Sequence, residues 1–214
     1  MRRGQALRGT LLVGVGNRCW CTSPASCRSE ILPGVGESAV YIAALLRERN
    51  EIDASIAKVI NRPVTAGHLG EWIASQIFDI VLEESAAAQG FDGRFRSGPL
   101  QGCTVNIKWY MKRTGLLDTT AFPDLDYYLV LTGPPTPSGS SRGVSRPWCI
   151  QAVFLFEARL LNAEQAARGI RSGIASSVIR RLWDEAEIYP QARNRLLITT
   201  PEQVQLLRLF ACHA

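Results

Sequence analysis

The chain has 214 residues, 46% of them apolar and 20% charged, enough to bury a core and to fit one domain with an extra segment or two. Its net charge of +5 is modest for that length: a positive face would attract polyanions, but charge alone does not establish nucleic-acid binding. No internal repeat and no membrane-spanning run is seen, which excludes repeat arrays and proteins built on transmembrane helices.

The basic residues are unevenly chosen, since only Lys58, Lys108 and Lys112 of the 24 are lysines. Genome composition accounts for a general preference for Arg. Lys108 and Lys112 nevertheless fall together, and a compact ammonium on a flexible stem does things at a metal-phosphate site that a planar guanidinium does not. Six cysteines, at 19, 21, 27, 103, 149 and 212, follow no paired framework. Cys19-Trp20-Cys21 with Cys27 lacks the spacing and the second ligand pair of a zinc site, and His68 and His213 are remote from it in sequence. The expectation is reduced thiols in a cytoplasmic protein.

Residues 1–33 mix Arg, Gly, Ser and Cys around one short apolar run, Thr10 to Gly16. Gly14 and Gly16 break that run and no small-residue cleavage site follows, which argues against a signal peptide. Neither Gly14-Val15-Gly16 nor Gly34-Val35-Gly36 leads into the Gly-Lys-Ser/Thr of a phosphate loop. This segment is expected to be disordered, with a folded domain over 34–214 and its core over 64–157.

From Glu37 to Ile60 apolar residues recur at loosely helical spacing, predicting one long helix or two short ones, ended by Asn61-Arg62-Pro63. Thr65 is an N-cap for the next helix, whose stripe is Leu69, Ile73, Ile77, Ile80 and Val81 and whose stop is Gly90. Glu71 lies off that stripe. Phe91 to Arg96 and Gly102 to Met111 read as strands. In the second, Thr104, Asn106, Lys108 and Tyr110 share one face while Val105, Ile107 and Trp109 share the other.

Asp126 to Leu131 and Trp148 to Phe156 read as two further strands, with the Pro/Gly/Ser-rich stretch Gly133 to Gly143 as an exposed, mobile loop between them. Glu164 to Arg168 suggests a short helix, Ile174 to Trp183 is ambiguous, and Leu196 to Thr199 is a candidate last strand. Thr200-Pro201 is a helix start, so Pro201 to Leu209 is expected to be helical. The fold class is therefore α/β: a mixed central β-sheet flanked by helices.

An acid on a helix (Glu71), an acid on a strand (Asp92) and a polar-X-Lys on the next strand (Asn106-Ile107-Lys108) suit phosphodiester chemistry. Hard Mg²⁺ or Mn²⁺ prefers carboxylate oxygens and keeps several waters. Asp92 would be the central ligand, with Glu71 completing the shell, and Lys108 would orient water or stabilise charge building on the phosphate. Arg94 and Arg96 share a face with Asp92 and, with Lys112, suit contacts to nucleic-acid phosphates; an ion pair of either Arg with Asp92 or Glu71 is the alternative. For Glu71 the plainer reading is an acid welcomed by the dipole in the first turns of its helix.

The order of elements, with Gly70-Glu71-Trp72, Val105-Asn106-Ile107-Lys108-Trp109 and Tyr127-Tyr128-Leu129-Val130, resembles the PD-(D/E)XK, or restriction-endonuclease-like, nucleases, and an uncharacterised group within that superfamily. The resemblance covers about residues 60 to 214. It implies a restriction-endonuclease-like core, a Mg²⁺- or Mn²⁺-dependent endonuclease site on DNA, and a role in restriction, repair or defence. Catalytic roles would fall to Glu71, Asp92, Asn106 and Lys108, with Asp92, Glu71 and Asn106 as metal ligands. Asn106 departs from the acid usual at its position; it offers a carbonyl oxygen but no charge, which lowers metal affinity and makes Glu71 more important.

Two other readings stand beside the nuclease. One is a non-catalytic nucleic-acid-binding or assembly module that keeps the fold. The other is a structural α/β protein in which Lys108 simply pairs with Asp92. No helix-turn-helix or zinc finger is visible, so specificity would come from loops such as Gly133 to Gly143, a homodimer or a partner protein; no membrane partner is expected. Glu185 and Glu187 beside Trp183 and Tyr189 read as a solvated helix face, and His68 as a helix-surface histidine rather than a proton carrier.

Overall fold

The computed structural model describes residues 37–84, 90–120, 122–135, 147–170, 173 and 175–212. The expectations for residues 1–33 and for Cys19, Cys21, Cys27 and His213 lie outside them. The chain divides into two compact units, Met1–Glu51 and Ile52–Ala214. The described residues begin with helix α1 (Glu37–Ile60). Asn61, at φ 54, ends it immediately before Arg62-Pro63.

The second unit carries the sheet. Helix α2 (Ala66–Phe78) starts as its sequence requires, with the Thr65 hydroxyl accepting from the His68 amide at 3.1 Å. It ends well before Gly90. Asp79 takes the left-handed conformation at φ 54, its amide donating to the Ser75 carbonyl and its carboxylate held by Arg96 and Ser97. A short polar side chain with such partners stabilises a backbone that β-branched residues avoid. Ile80 and Val81, expected on the helical stripe, therefore belong to strand β1 (Ile80–Leu82).

Strands β2 (Gly93–Phe95) and β3 (Thr104–Tyr110) follow, then β4 (Leu116–Asp118), β5 (Tyr127–Thr132) and β6 (Ala152–Glu157). After them come α3 (Ala158–Ala167), β7 (Ala175–Ser177), α4 (Arg180–Ala186), β8 (Glu187–Tyr189) and α5 (Pro201–Leu209). The main sheet has six strands in the order β1-β2-β3-β5-β6-β8, and β4 pairs with β7 in a separate two-stranded ribbon. Only β3 and β5 run parallel, with Asn106 beside Tyr128 and Lys108 beside Val130; the other neighbours in both sheets are antiparallel. The expected α/β architecture, a mixed sheet between helices, is observed.

Period-two alternation splits the core between the two faces of the sheet. Val105, Ile107 and Trp109 pack with Ile73 and Ile77 of α2 and Leu207 of α5. On the opposite face Tyr128, Val130, Phe154 and Phe156 pack with Leu161 of α3 and Trp183 of α4. The α5 cap forms as predicted: Thr200 and Gln203 bond reciprocally and Pro201 occupies the first turn.

Three expectations need correction. Leu196 to Thr199 is not a strand; β8 takes the place beside β6, and the buried Asn194 side chain donates to the Leu155 carbonyl at 3.0 Å and accepts from the Leu196 amide at 2.7 Å. The start of the expected loop is not exposed: Gly133 is buried and donates to the Tyr110 carbonyl at 2.7 Å, while residues 136–146 lie outside the described ones. The thiols are not all reduced, because Cys149 and Cys212 form a disulfide across 63 residues of sequence. Cys103 is the free cysteine among the described residues. No helix among the described residues is long and apolar enough to cross a membrane.

Gly70 sets how closely α2 approaches β3. A Cβ on it would stand 2.8 Å from the Trp109 Cβ, so the helix could admit a methyl group only by moving off the sheet. Gly70→Ala should cost about 1–3 kcal/mol despite alanine's better helix propensity. Chemical denaturation checks this, and a variant as stable as wild type would show that the contact is slack.

Candidate functional site

Glu71 lies in the second turn of α2, off its buried stripe, and its Oε2 meets Nη1 of Arg62 at 2.6 Å. Neither side chain is freely solvated, at 24% and 17% exposed. The other arm of the guanidinium, Nη2, donates to the Glu83 carbonyl at 3.1 Å. Arg62 stands between Asn61, in the left-handed conformation, and Pro63, in the turn from α1 to α2. Sequence reasoning missed this residue. It read Asn61-Arg62-Pro63 only as a helix stop, and no periodicity links a loop arginine to an acid nine positions later.

Asp92 precedes β2 and is fastened to β3 twice. Its amide donates to the Val105 carbonyl at 2.9 Å, and its Oδ2 accepts from the Ile107 amide at 2.6 Å. The β2–β3 register, continued by one residue, sets Asp92 opposite Asn106. Burial raises the Asp92 pKa above the ordinary carboxylate value; the Ile107 bond opposes this, Glu71's negative charge adds to it, and the positive charges of Lys108 and Arg62 oppose it. Arg62, Glu71 and Lys108 thus all lie within electrostatic range of Asp92.

A carboxyl whose folded pKa is raised binds more protons in the folded than in the unfolded chain over the interval between the two values. Stability therefore falls as pH rises from the ordinary Asp range through the raised value. Asp92→Asn keeps an acceptor for the Ile107 amide and removes the desolvated charge, so it should stabilise the chain near pH 7 by roughly 1 kcal/mol, as substitutions that relieve functional strain do. Thermal unfolding between pH 4 and 8 reads this. A lower midpoint for Asp92→Asn at pH 7 would show that the ionised carboxylate is a net stabiliser.

On β3, Asn106 and Lys108 point away from the α2 face, as the alternation predicted. Asn106 is 7% exposed. Its Nδ2 approaches the Gly90 carbonyl at 3.5 Å, and its Oδ1 is buried without a hydrogen-bond partner. A buried carbonyl oxygen left without a donor costs free energy, and in a native fold it asks for an explanation. Lys108 is only partly buried.

The remaining sequence candidates are not brought to this place. Arg94 stacks its guanidinium 4.8 Å from the Phe91 ring centre and donates to the Gly102 carbonyl at 3.2 Å. Arg96 pairs with Asp79, not with Asp92 or Glu71. Lys112 lies in the bend beyond the end of β3, and none of the three is among the charges acting on Asp92. His68 binds the Pro63 carbonyl through Nδ1 at 2.8 Å. Glu185 pairs with Arg181 at 3.0 Å, as a solvated face does, but Glu187 is buried beside Arg193.

Around the Asp92 carboxyl the structure gathers the charges of Glu71, Lys108 and Arg62, with Asn106 opposite Asp92 in the strand register. Among the described residues no set of three or more His, Cys, Asp or Glu is placed to hold a metal ion, so a cation here would have to use the Asn106 oxygen or water beside the two acids. The chain matches no model of a known protein family, and no curated protein matches it.

Proposed function

We propose that the protein is a divalent-metal-dependent nuclease that hydrolyses DNA phosphodiester bonds with Glu71, Asp92, Asn106 and Lys108, after the manner of the restriction-endonuclease-like enzymes its sequence resembles. The observation that carries this reading is the bond from the Ile107 amide to Asp92. It seats a desolvated acid against the middle residue of Asn106-Ile107-Lys108, with Glu71 and Lys108 both acting on its charge.

The donor set fits a hard cation. Asn106 Oδ1 is a buried oxygen with no donor, on the residue opposite Asp92 in the strand register, and Asp92 with Glu71 would supply the charge that Mg²⁺ or Mn²⁺ requires. When bound, such an ion polarises a phosphate oxygen and lowers the pKa of a coordinated water. Asp92, fixed by the Ile107 amide, holds its carboxylate in one orientation. Glu71 adds the second negative charge, and Asn106 adds an oxygen without charge, so affinity for metal alone is weak. Lys108 presents a positive charge to the phosphate as negative charge builds there. Arg94, Arg96 and Lys112 remain candidates for backbone contacts outside the reacting centre. Specificity in restriction, repair or defence would come from a second copy or a partner protein.

The non-catalytic module is favoured by one observation: Glu71 already has a cation partner in Arg62. Incubating supercoiled and single-stranded DNA with the wild-type chain in Mg²⁺ and in Mn²⁺, beside chelator controls, decides between the readings. Metal-dependent cleavage that Asp92→Asn abolishes supports the enzyme. DNA binding without cleavage supports the module.

A further inference from the structure

The geometry points to Arg62 as the resident cation of this site: it holds Glu71 while no metal is bound, and exchanges that carboxylate for a phosphate oxygen when a divalent cation and a phosphodiester load together. The inference rests on the nuclease reading above and goes beyond it, because nothing in the resemblance or in the motif residues involves Arg62.

Charge balance is the first argument. Glu71 and Asp92 face Arg62 and Lys108, and the fields of all three neighbours converge on Asp92. Two negative charges against two positive ones leave the group neutral. A divalent cation arriving alone would leave two uncompensated positive charges among partly buried side chains, which is costly where solvent screening is weak. A phosphodiester brings a negative charge with it, so each ligand improves the site for the other.

Geometry is the second argument. Arg62 uses Nη1 on Glu71 at 2.6 Å and Nη2 on the Glu83 carbonyl at 3.1 Å, and a guanidinium carries five donors in a rigid fork that also matches phosphate oxygens. Its side chain keeps 24% of its surface exposed, so an anion can reach it. Its backbone is restricted by the following Pro63, so an exchange of partner needs only side-chain rotation. If metal takes up Glu71, the guanidinium loses its strongest partner at the moment a phosphate oxygen arrives.

Reciprocal coupling between metal and anion is the measurable consequence. The full chain is titrated with Mn²⁺ by calorimetry, with and without a phosphorothioate dithymidine dinucleotide that resists hydrolysis. The wild type should bind Mn²⁺ about tenfold more tightly with the dinucleotide present. Arg62→Gln should bind Mn²⁺ alone about tenfold more tightly than the wild type does, and the dinucleotide should then add less than about threefold. In a Glu71→Gln background the gain from Arg62→Gln should vanish, because the contact it relieves is gone. Arg62→Lys keeps the charge without the fork and tests the exchange even if Arg62→Gln does not fold; it should hold Mn²⁺ affinity near wild type and show a coupling between that of wild type and that of Arg62→Gln, because the charge-balance part remains and the fork's bond to phosphate is lost, and a coupling as large as wild type's would overturn the exchange. An Arg62→Gln protein that is folded by circular dichroism, yet binds Mn²⁺ no better than wild type or keeps the full coupling, overturns the exchange and leaves the metal site standing. A wild type that binds no Mn²⁺ with or without the dinucleotide overturns both.

Discussion

Lys108→Ala should cut divalent-dependent DNA cleavage by on the order of 10²–10³-fold, the scale of loss when one group that stabilises transition-state charge is removed. Folding should be little affected. Lys108 is only partly buried, and its effect on Asp92 comes after burial, the Ile107 bond and Glu71 among the causes of that carboxyl's shift. The loss should fall on kcat, with DNA affinity nearly unchanged, because a charge used mainly in the transition state does not hold the ground-state complex. A structural ion pair predicts the reverse: a lower unfolding temperature, and no wild-type cleavage to lose, because Asp92 would be left buried beside Glu71 with less compensation. Cleavage rates and thermal unfolding measured on the same preparations separate the two. A destabilised Lys108→Ala, together with a wild type inert on every DNA form, would remove the catalytic role.

What the sequence made legible was local. The alternation in Thr104 to Tyr110 placed Asn106 and Lys108 together because a strand's period is short enough to read from seven residues. The caps at Thr65 and Thr200 were legible for the same reason: the donor and the acceptor lie three residues apart. The parts not legible depend on partners distant in sequence. Asp79 ends α2 because Arg96 and Ser97 hold its carboxylate, and from the helix side an apolar pair such as Ile80-Val81 reads as one more turn. Arg62 meets Glu71 through the turn between two helices. Asp92, expected on a strand, stands just before β2, and that its carboxylate would bind the Ile107 amide is a matter of tertiary geometry. Arg94 and Arg96 shared the expected face, yet Phe91 and Asp79 compete for them.

The disulfide is the plainest case of a long-range feature, and it carries the largest expected effect on stability. Cys149 is buried just before β6, and Cys212 follows α5. The Ile150 amide donates to the Phe210 carbonyl at 2.7 Å beside the bridge, so the bond fastens the chain's last helix to the entry of an inner strand. Closing a loop of 63 residues restricts the unfolded chain by about 4 kcal/mol in the loop-entropy account. Cys149→Ser should therefore lower the unfolding midpoint by roughly 10 °C in a protein of this size, and the wild type in reductant should fall to about the same value. Cys103→Ser, which alters the free thiol among the described residues, should leave the midpoint within about 2 °C, because a small substitution at a half-buried position that breaks no bond costs little. Thermal scans of the three proteins with and without dithiothreitol, beside a thiol count by alkylation and mass spectrometry, make the comparison. A wild type in which Cys149 and Cys212 alkylate readily without reductant, and whose midpoint ignores dithiothreitol, would show that the two sulfurs stand together as thiols and that α5 is held by non-covalent contacts: the packing of Leu207 and the bonds of Gln203 to Ile77 and of Ile150 to Phe210.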